Sequence, residues 1–573
     1  MAEGGIPISL LVDLLSVFVI AAGVGILVAK VGDFPYTVAL LLAGIAASVI
    51  GVDVAITLSH DLILLVLLPP LLFEGAATTD LERLRRNTVP ILAIAVPGLV
   101  AAVVLLGAAG ARLFPFEPLV ALLFAAMILP TDPVSVLALF EELGAPDRLS
   151  VIVEGESLIN DGVGVVLFSA LLALVESGAT VRTLLDPRQL AAVATDIAVV
   201  SVGGLVVGLA AGYAVYRVMI NLDEHMTEIV LTIVLAYGAF VLAEHYLHVS
   251  GVIATVAAGL FIGNRGADYA MSPQTKISIF NTWETGAFIV NTFIFLMIGV
   301  TTPVADLVAY ADLILLAIPL VVAARAAVVY PITALVNLVN EPRISHAYKH
   351  VMVWGGLHAS IPIALVLGLP TGGLLDATVR TQLRAMVFGV AGFSLVVQAL
   401  TMAPLLRSLG VVTRSEEEEL FELLIGRARA VDAALDAADR LHDAGELTGE
   451  VYENFTTEYE REKSELNDTI SELLQTAPEL RHEQYLTGER RILQQEKSAI
   501  MDAMRNGVIS DTAGERLLEE TNLKLDYVRD GESTVRGEHE GFEESWRRRA
   551  ADLGVYESET PVEGTGEPEN EED

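Results

Sequence analysis

The chain has 573 residues, is 53% hydrophobic, contains no cysteine and carries a formal net charge of -37. The missing cysteine excludes disulfides and thiolate metal sites, and the acidic excess disfavours nucleic acid as a partner. The apolar share exceeds the ~45–50% of soluble domains. It is concentrated in blocks between Ile6 and Leu409, each near the ~20 residues that cross a hydrocarbon core of ~30 Å. These features describe an all-α polytopic membrane protein in a lipid bilayer.

In chain order, the apolar blocks predict about thirteen spans. They lie near 6–31, 35–51, 57–77, 88–112, 116–142, 147–176, 188–219, 225–247, 249–264, 275–304, 309–338, 344–370 and 377–409. Met1-Ala2-Glu3-Gly4-Gly5 has no basic stretch, so the first block reads as a retained span rather than a cleavable signal. An odd number of spans places the termini on opposite sides. One set of loops holds Lys30, Arg83, Arg85, Arg86, Arg148, Arg217, Arg265, Lys276, Arg343, Lys349, Arg407 and Arg414. The other holds Arg112, Arg182, Arg188, Arg380 and Arg384. The positive-inside rule makes the richer set cytoplasmic, with the N-terminus outside and the C-terminal region inside.

Residues 1–410 read as the transmembrane domain, and they contain 29 of the 72 acidic and 17 of the 35 basic residues. Most of the acidic excess therefore falls in the remainder, as a salt-loving source would favour, since salt screens self-repulsion. Residues 411–556 read as an acidic helical cytoplasmic domain, with amphipathic stretches at Leu420–Leu441 and Arg490–Met504 punctuated by Gly445, Gly507 and Gly531. Residues 557–573, rich in Glu, Pro and Gly, read as a disordered tail. The C-terminal domain shows no Gly-rich phosphate loop, so a regulatory or dimerising role is expected.

The polar residues inside the spans carry the chemistry, because charge in hydrocarbon needs a partner or a use. In Thr131-Asp132-Pro133, Pro133 removes a backbone donor and disfavours helix at Asp132, so the fifth span should break there. Asp132 then has two compatible readings: cap of the second half-helix, or member of an ion path lined by freed carbonyls. In Gly155-Glu156-Ser157-Leu158-Ile159-Asn160-Asp161-Gly162, Glu156 and Asn160 share a helical face, with Ser157 near it. Carboxylate, hydroxyl and amide oxygens are hard ligands suited to Na⁺. A carboxylate out of water can be discharged by either a proton or a cation, so Asp161 can serve an exchange of the two. Arg325, in an apolar run, needs a carboxylate; Glu156 is the first candidate and Asp161 the second.

Three further residues are accessory candidates. Glu74 follows Pro69-Pro70 near the end of the third span, where snorkelling, lining a funnel and pairing with a base all remain open. Asn291 suits a bond between helices. His358, in Trp354-Gly355-Gly356-Leu357-His358-Ala359-Ser360-Ile361-Pro362, marks a second interruption, as a hydrogen-bonded filler or a pH sensor. His245 and His248 are spaced like a metal pair, but no third ligand is evident. Interruptions in spans five and twelve suit two inverted six-helix repeats, spans 1–6 and 8–13, whose broken helices cross.

Together with Phe295-Leu296-Met297-Ile298-Gly299 and Gln398-Ala399-Leu400-Thr401-Met402-Ala403-Pro404, these motifs resemble the cation:proton antiporter-1 family, in its NhaP-type sodium/proton exchanger branch, over residues 6–410. The resemblance implies a thirteen-helix inverted-repeat fold, a homodimer and elevator-like alternating access. It implies Asp161 as the shared ion and proton carboxylate, with Asp132, Ser157 and the Thr131 carbonyl as further Na⁺ ligands, and Glu156 with Arg325 as an ion pair. Asn160 before Asp161 resembles the electroneutral branch. The family commonly has an arginine where this chain has His358. The expected cargo is Na⁺, K⁺ or Li⁺ against H⁺, in pH and salt homeostasis, with no cofactor and no enzymatic reaction. A cation channel or membrane sensor on the same scaffold is the alternative, and an intramembrane protease lacks a convincing catalytic pair.

Overall fold

The structure is a computed structural model describing residues 8–31, 34–50, 58–132, 134–181, 186–220, 222, 224–340, 342–358, 360–370, 375–412, 416–505, 507–529, 531 and 533. The expectations for Met1–Gly5, Pro133, Arg182, Ala359, Arg414 and the chain after residue 533 lie outside the described residues. The chain divides into two compact units, Met1–Thr413 and Arg414–Asp573.

The first unit is built from α1 (Ile8–Val31), α2 (Tyr36–Val49), α3 (Leu62–Thr78), the short α4 (Leu81–Arg86), α5 (Thr88–Leu113), α6 (Pro118–Ile128), α7 (Val134–Leu143) and α8 (Asp147–Glu176). It continues through α9 (Pro187–Met219), α10 (His225–Tyr246), α11 (Gly251–Phe261), α12 (Pro273–Thr301), α13 (Val304–Ala309), α14 (Ala311–Val336), α15 (His346–Trp354), α16 (Ser360–Leu367) and α17 (Ala377–Ser408). Eight helices among the described residues are long and apolar enough to cross a membrane. The other expected spans appear as shorter helices or as the broken pairs α6/α7 and α15/α16.

Local chemistry sets the helix ends. Asp80, Asp186, Ser250, Ser272, Ser345 and Asp376 accept backbone N–H bonds at their helix starts. Pro118, Pro187 and Pro273 occupy first-turn positions, where a missing N–H costs nothing. Wider π turns open α3 just before Pro69 and Pro70, and interrupt α5 at Ile94–Gly98 around Pro97. A third, at Ser394–Gln398 in α17, places Ser394 and Gln398 toward the α15/α16 break.

The helices pack in two groups. α1, α2, α3, α9, α10, α11 and α12 form one; α5, α6/α7, α8, α14, α15/α16 and α17 form the other. In the first, α2 and α12 meet through Gly44 and Gly299: a Cβ on Gly299 would lie 2.8 Å from the Gly44 Cα. In a bilayer such small-residue contacts drive association, because lipid tails are as apolar as leucine. α8 lies where the groups meet, against α9 and α11. Polar bonds also link the groups. The His60 ring donates from Nδ1 to the Ala364 carbonyl at 3.1 Å, and Arg384 Nη2 to the Thr301 carbonyl at 3.3 Å.

The second unit contains α18 (Glu416–Asp443), α19 (Gly449–Thr476), α20 (Pro478–Arg505) and α21 (Asp511–Arg529), packed as two hairpins. Gly445 and Gly507 turn the chain with φ of +72° and +67°. Arg427 grips Glu462 with two bonds of 2.6 and 2.9 Å, which hold that carboxyl below its usual range. These contacts are exposed and add little stability.

Overpacking a close helix pair costs about 1–3 kcal/mol. Gly299→Val should therefore lower the thermal unfolding midpoint of the purified protein in detergent, whereas Gly286→Ala on the same helix, with open space around it, should leave it unchanged.

Candidate functional site

α6 ends at Ile128 and α7 begins at Val134; α15 ends at Trp354 and α16 begins at Ser360. The two interruptions meet. The Asp132 N–H donates to the Leu357 carbonyl at 2.8 Å, and His358 Nδ1 donates to the Pro130 carbonyl at 3.1 Å. The Ser360 hydroxyl reaches Asp132 Oδ2 at 3.3 Å. Freed backbone groups of one helix are thus answered by the other, as a low-dielectric interior requires.

α8 supplies the third wall. With 3.6 residues per turn, Glu156 and Asn160 form one column and Ser157 and Asp161 its neighbour. All four are buried. Asn160 Nδ2 donates to the Thr131 hydroxyl at 2.9 Å, and the Thr131 N–H to Asn160 Oδ1 at 3.4 Å. The Ser157 hydroxyl donates to the Thr131 carbonyl. Asp161 Oδ1 is buried and accepts no hydrogen bond among the described residues. Asp132, half-buried, is close enough to couple electrostatically to Asp161. Two carboxylates, a hydroxyl and a backbone carbonyl therefore gather at one helix crossing. This oxygen set suits a hard monovalent cation as cargo. No group of three or more His, Asp or Glu side chains able to hold a resident metal occurs among the described residues, and His245 lies in a π turn at Leu242–Tyr246.

Arg325 on α14 sits behind this wall. Its Nη1 and Nη2 meet Glu156 Oε1 and Oε2 at 2.9 and 3.1 Å, and its Nε donates to the Met352 carbonyl at 2.9 Å. Of the two partners open to Arg325 in the sequence, Glu156 is the one it holds, and Asp161 is left unpaired with it. Gly356 lies against the guanidinium: a Cβ there would lie 2.6 Å from the Arg325 Cζ.

Glu74 and Asn291 are the remaining candidates. Glu74, half-buried in α3, faces Glu154 and Glu284; Glu154 in turn accepts a 2.6 Å bond from the Thr79 hydroxyl. Asn291 lies half-buried in α12. Sequence reasoning missed Ser360, Ser394 and the Leu357 and Met352 carbonyls. Ser394 accepts the His358 N–H at 2.9 Å. Backbone carbonyls carry no sequence signal, and the two serines stand in apolar context.

Comparison with known proteins agrees with this architecture. The solved structure of the sodium proton antiporter MjNhaP1 from Methanocaldococcus jannaschii has the same fold, with a TM-score of 0.58 at 19% identity over 70% of this chain and 98% of that one. The shared fold and the apolar helices define the class, a multi-pass helical membrane protein. The sodium/hydrogen exchanger transmembrane family matches residues 15–408, and the chain belongs to that family, as an NhaP-type member of the cation:proton antiporter-1 group. The Na(+)/H(+) antiporter NhaG of Bacillus atrophaeus is 34% identical over 525 residues, 90% of this chain and 96% of its own. ApNhaP of Aphanothece halophytica, also named a Na(+)/H(+) antiporter, is 36% identical over 70% of this chain and 75% of its own. The NhaG match is too long for the transmembrane unit alone, so likeness extends into the C-terminal unit, beyond the residue 410 limit read from the motifs.

Removing one partner of a buried pair costs about 3–5 kcal/mol. Arg325→Ala should lower the unfolding midpoint strongly. Adding Glu156→Gln to it should recover part of the loss, and a double variant no more stable than the single one would refute the pairing energy.

Proposed function

We propose that this protein is a secondary active antiporter that exchanges Na⁺ for H⁺ across the cell membrane. The carrying observation is Asp161 Oδ1, buried without a hydrogen bond beside Asp132, Ser157 and the Thr131 carbonyl. Asp161 binds a proton and a cation in turn. Asp132, Ser157 and the Thr131 carbonyl complete the cation's shell, and Asn160 fixes Thr131 from α8. Glu156, neutralised by Arg325, shapes the site without carrying the proton. With Asn at 160 and Asp at 161, one cation exchanges for one proton and the cycle is electroneutral. The same oxygen set admits Li⁺ and K⁺.

The proposed frame has thirteen crossings in two inverted six-helix repeats, with α9 as the linker. The group carrying the crossing moves against the other in alternating access, and two copies form a homodimer. The N-terminus lies outside. Residues 411–556 form a cytoplasmic regulatory domain. The exchange serves pH and salt homeostasis.

The test is exchange in reconstituted vesicles under a pH gradient, with Na⁺, Li⁺ or K⁺ added at pH 5 to 9 and the voltage clamped, then released. Cation-driven proton movement insensitive to voltage, and lost in Asp161→Asn, is the expected result. Retained exchange in that variant would overturn the role of Asp161, and current without proton coupling would indicate a channel instead.

A chain ending at Ser415 keeps every residue of the crossing. It should still exchange Na⁺ for H⁺, with a changed pH setpoint or stability; a well-folded but inactive truncation would contradict this division of labour.

A further inference from the structure

The α6/α7 break contains two peptide units whose ends are both tied. In the Thr131–Asp132 unit, the carbonyl takes the Ser157 hydroxyl and the N–H goes to the Leu357 carbonyl. In the Pro130–Thr131 unit, the N–H goes to Asn160 and the carbonyl takes the His358 ring. A carbonyl oxygen only accepts, so the ring nitrogen facing Pro130 carries the hydrogen. Three of these four ties come from α8 side chains or from backbone. The fourth, from His358, is the one made by a side chain of the other broken helix.

His358 is itself held. It is 2% exposed, and its N–H donates to Ser394, which is fully buried in the π turn of α17. Four residues on, Gln398 donates to the Trp354 carbonyl at 3.0 Å, at the end of α15. α17 thus anchors both edges of the α15/α16 break, and His358 carries that anchorage across to α6.

A peptide plane tied at both ends has its rotation removed. The two tied planes meet at the Thr131 Cα, so holding the first fixes φ at Thr131 and, with the second held by Ser157 and Leu357, leaves Thr131 one position. We propose that His358 is a positioning residue for cation binding: by holding the Pro130 carbonyl it fixes Thr131, the residue that joins the two tied planes, and so keeps the Thr131 carbonyl on the Ser157–Asp161 column. This rests on the reading of the crossing as the cation site. The role acts through Pro130 and Thr131, without contact between the imidazole and the ion.

The test uses the full chain and two readouts. One is the Na⁺ concentration giving half-maximal exchange in vesicles. The other, independent of transport, is the Na⁺ concentration giving half-maximal thermal stabilisation in detergent. His358→Leu removes the donor and should raise both by about tenfold, the effect of one misplaced polar contact, with the maximal exchange rate changed less than about twofold and the preference among Li⁺, Na⁺ and K⁺ altered. His358→Asn puts an amide N–H near the Nδ1 position and should restore both values. His358→Gln, with its donor one methylene further out, should fall between.

A folded His358→Leu with parental half-saturation and parental ion preference overturns the proposal, as does an Asn variant no better than Leu. If the leucine variant does not fold, the ordering of Asn over Gln decides. A parent that is stabilised by Na⁺ yet moves no protons would refute the exchange reading, while the binding readout would still judge His358.

Discussion

Hydrocarbon tolerates no unpaired backbone N–H or carbonyl, and an interrupted helix exposes several. This constraint organises the transmembrane unit. α6/α7 and α15/α16 break at the same place because each supplies what the other lacks: the Asp132 N–H finds the Leu357 carbonyl, and the Pro130 carbonyl finds His358. α8 and α17 close the remaining gaps with Ser157, Asn160 and Ser394. Ser157, Asn160 and His358, all at the candidate site, are therefore among the side chains that make the breaks tolerable.

The crossing also balances its own electrostatics. Two half-helix N-termini, at Val134 and Ser360, and two C-termini, at Ile128 and Trp354, converge there. Each end is worth roughly +0.5 or -0.5 of a charge, so their sum is near zero. Glu156 and Arg325 cancel by direct contact. Asp161 Oδ1, by contrast, is buried with no hydrogen bond among the described residues. A pair as buried as Glu156–Arg325 is not itself strong evidence of stability, since desolvation offsets much of its attraction. Its effect is that Arg325 is held by Glu156 and not by Asp161.

Much of this was legible in the residues. Apolar block length located the helices, and Pro133 and the run from Trp354 to Pro362 marked the two interruptions. Polar residues in hydrocarbon pointed to the site region for the simple reason that they are costly there. Other features were illegible. Nothing in Leu242–Tyr246 or Ile262–Gly266 announces a π turn, since neither contains proline. The span read at 249–264 is an α-helix only to Phe261. Arg325 had two possible partners until the fold brought Glu156 to its fork. Leu357 and Met352 act through backbone oxygens, which any residue would supply, so periodicity and composition are blind to them.

Gly356 has a consequence of a different kind. Its φ is not in the left-handed region, so its backbone would accept other residues. What it provides is room, because the Arg325 guanidinium occupies the volume a side chain would fill. A mutation at 356 would look, on paper, like a loss of chain flexibility. It would act as a charge defect on another helix, displacing the cation of the pair and leaving Glu156 ionised in the membrane interior. The smallest residue in the segment is in effect the wall of an electrostatic socket, and its tolerance to change is set by an arginine about thirty positions earlier in the chain.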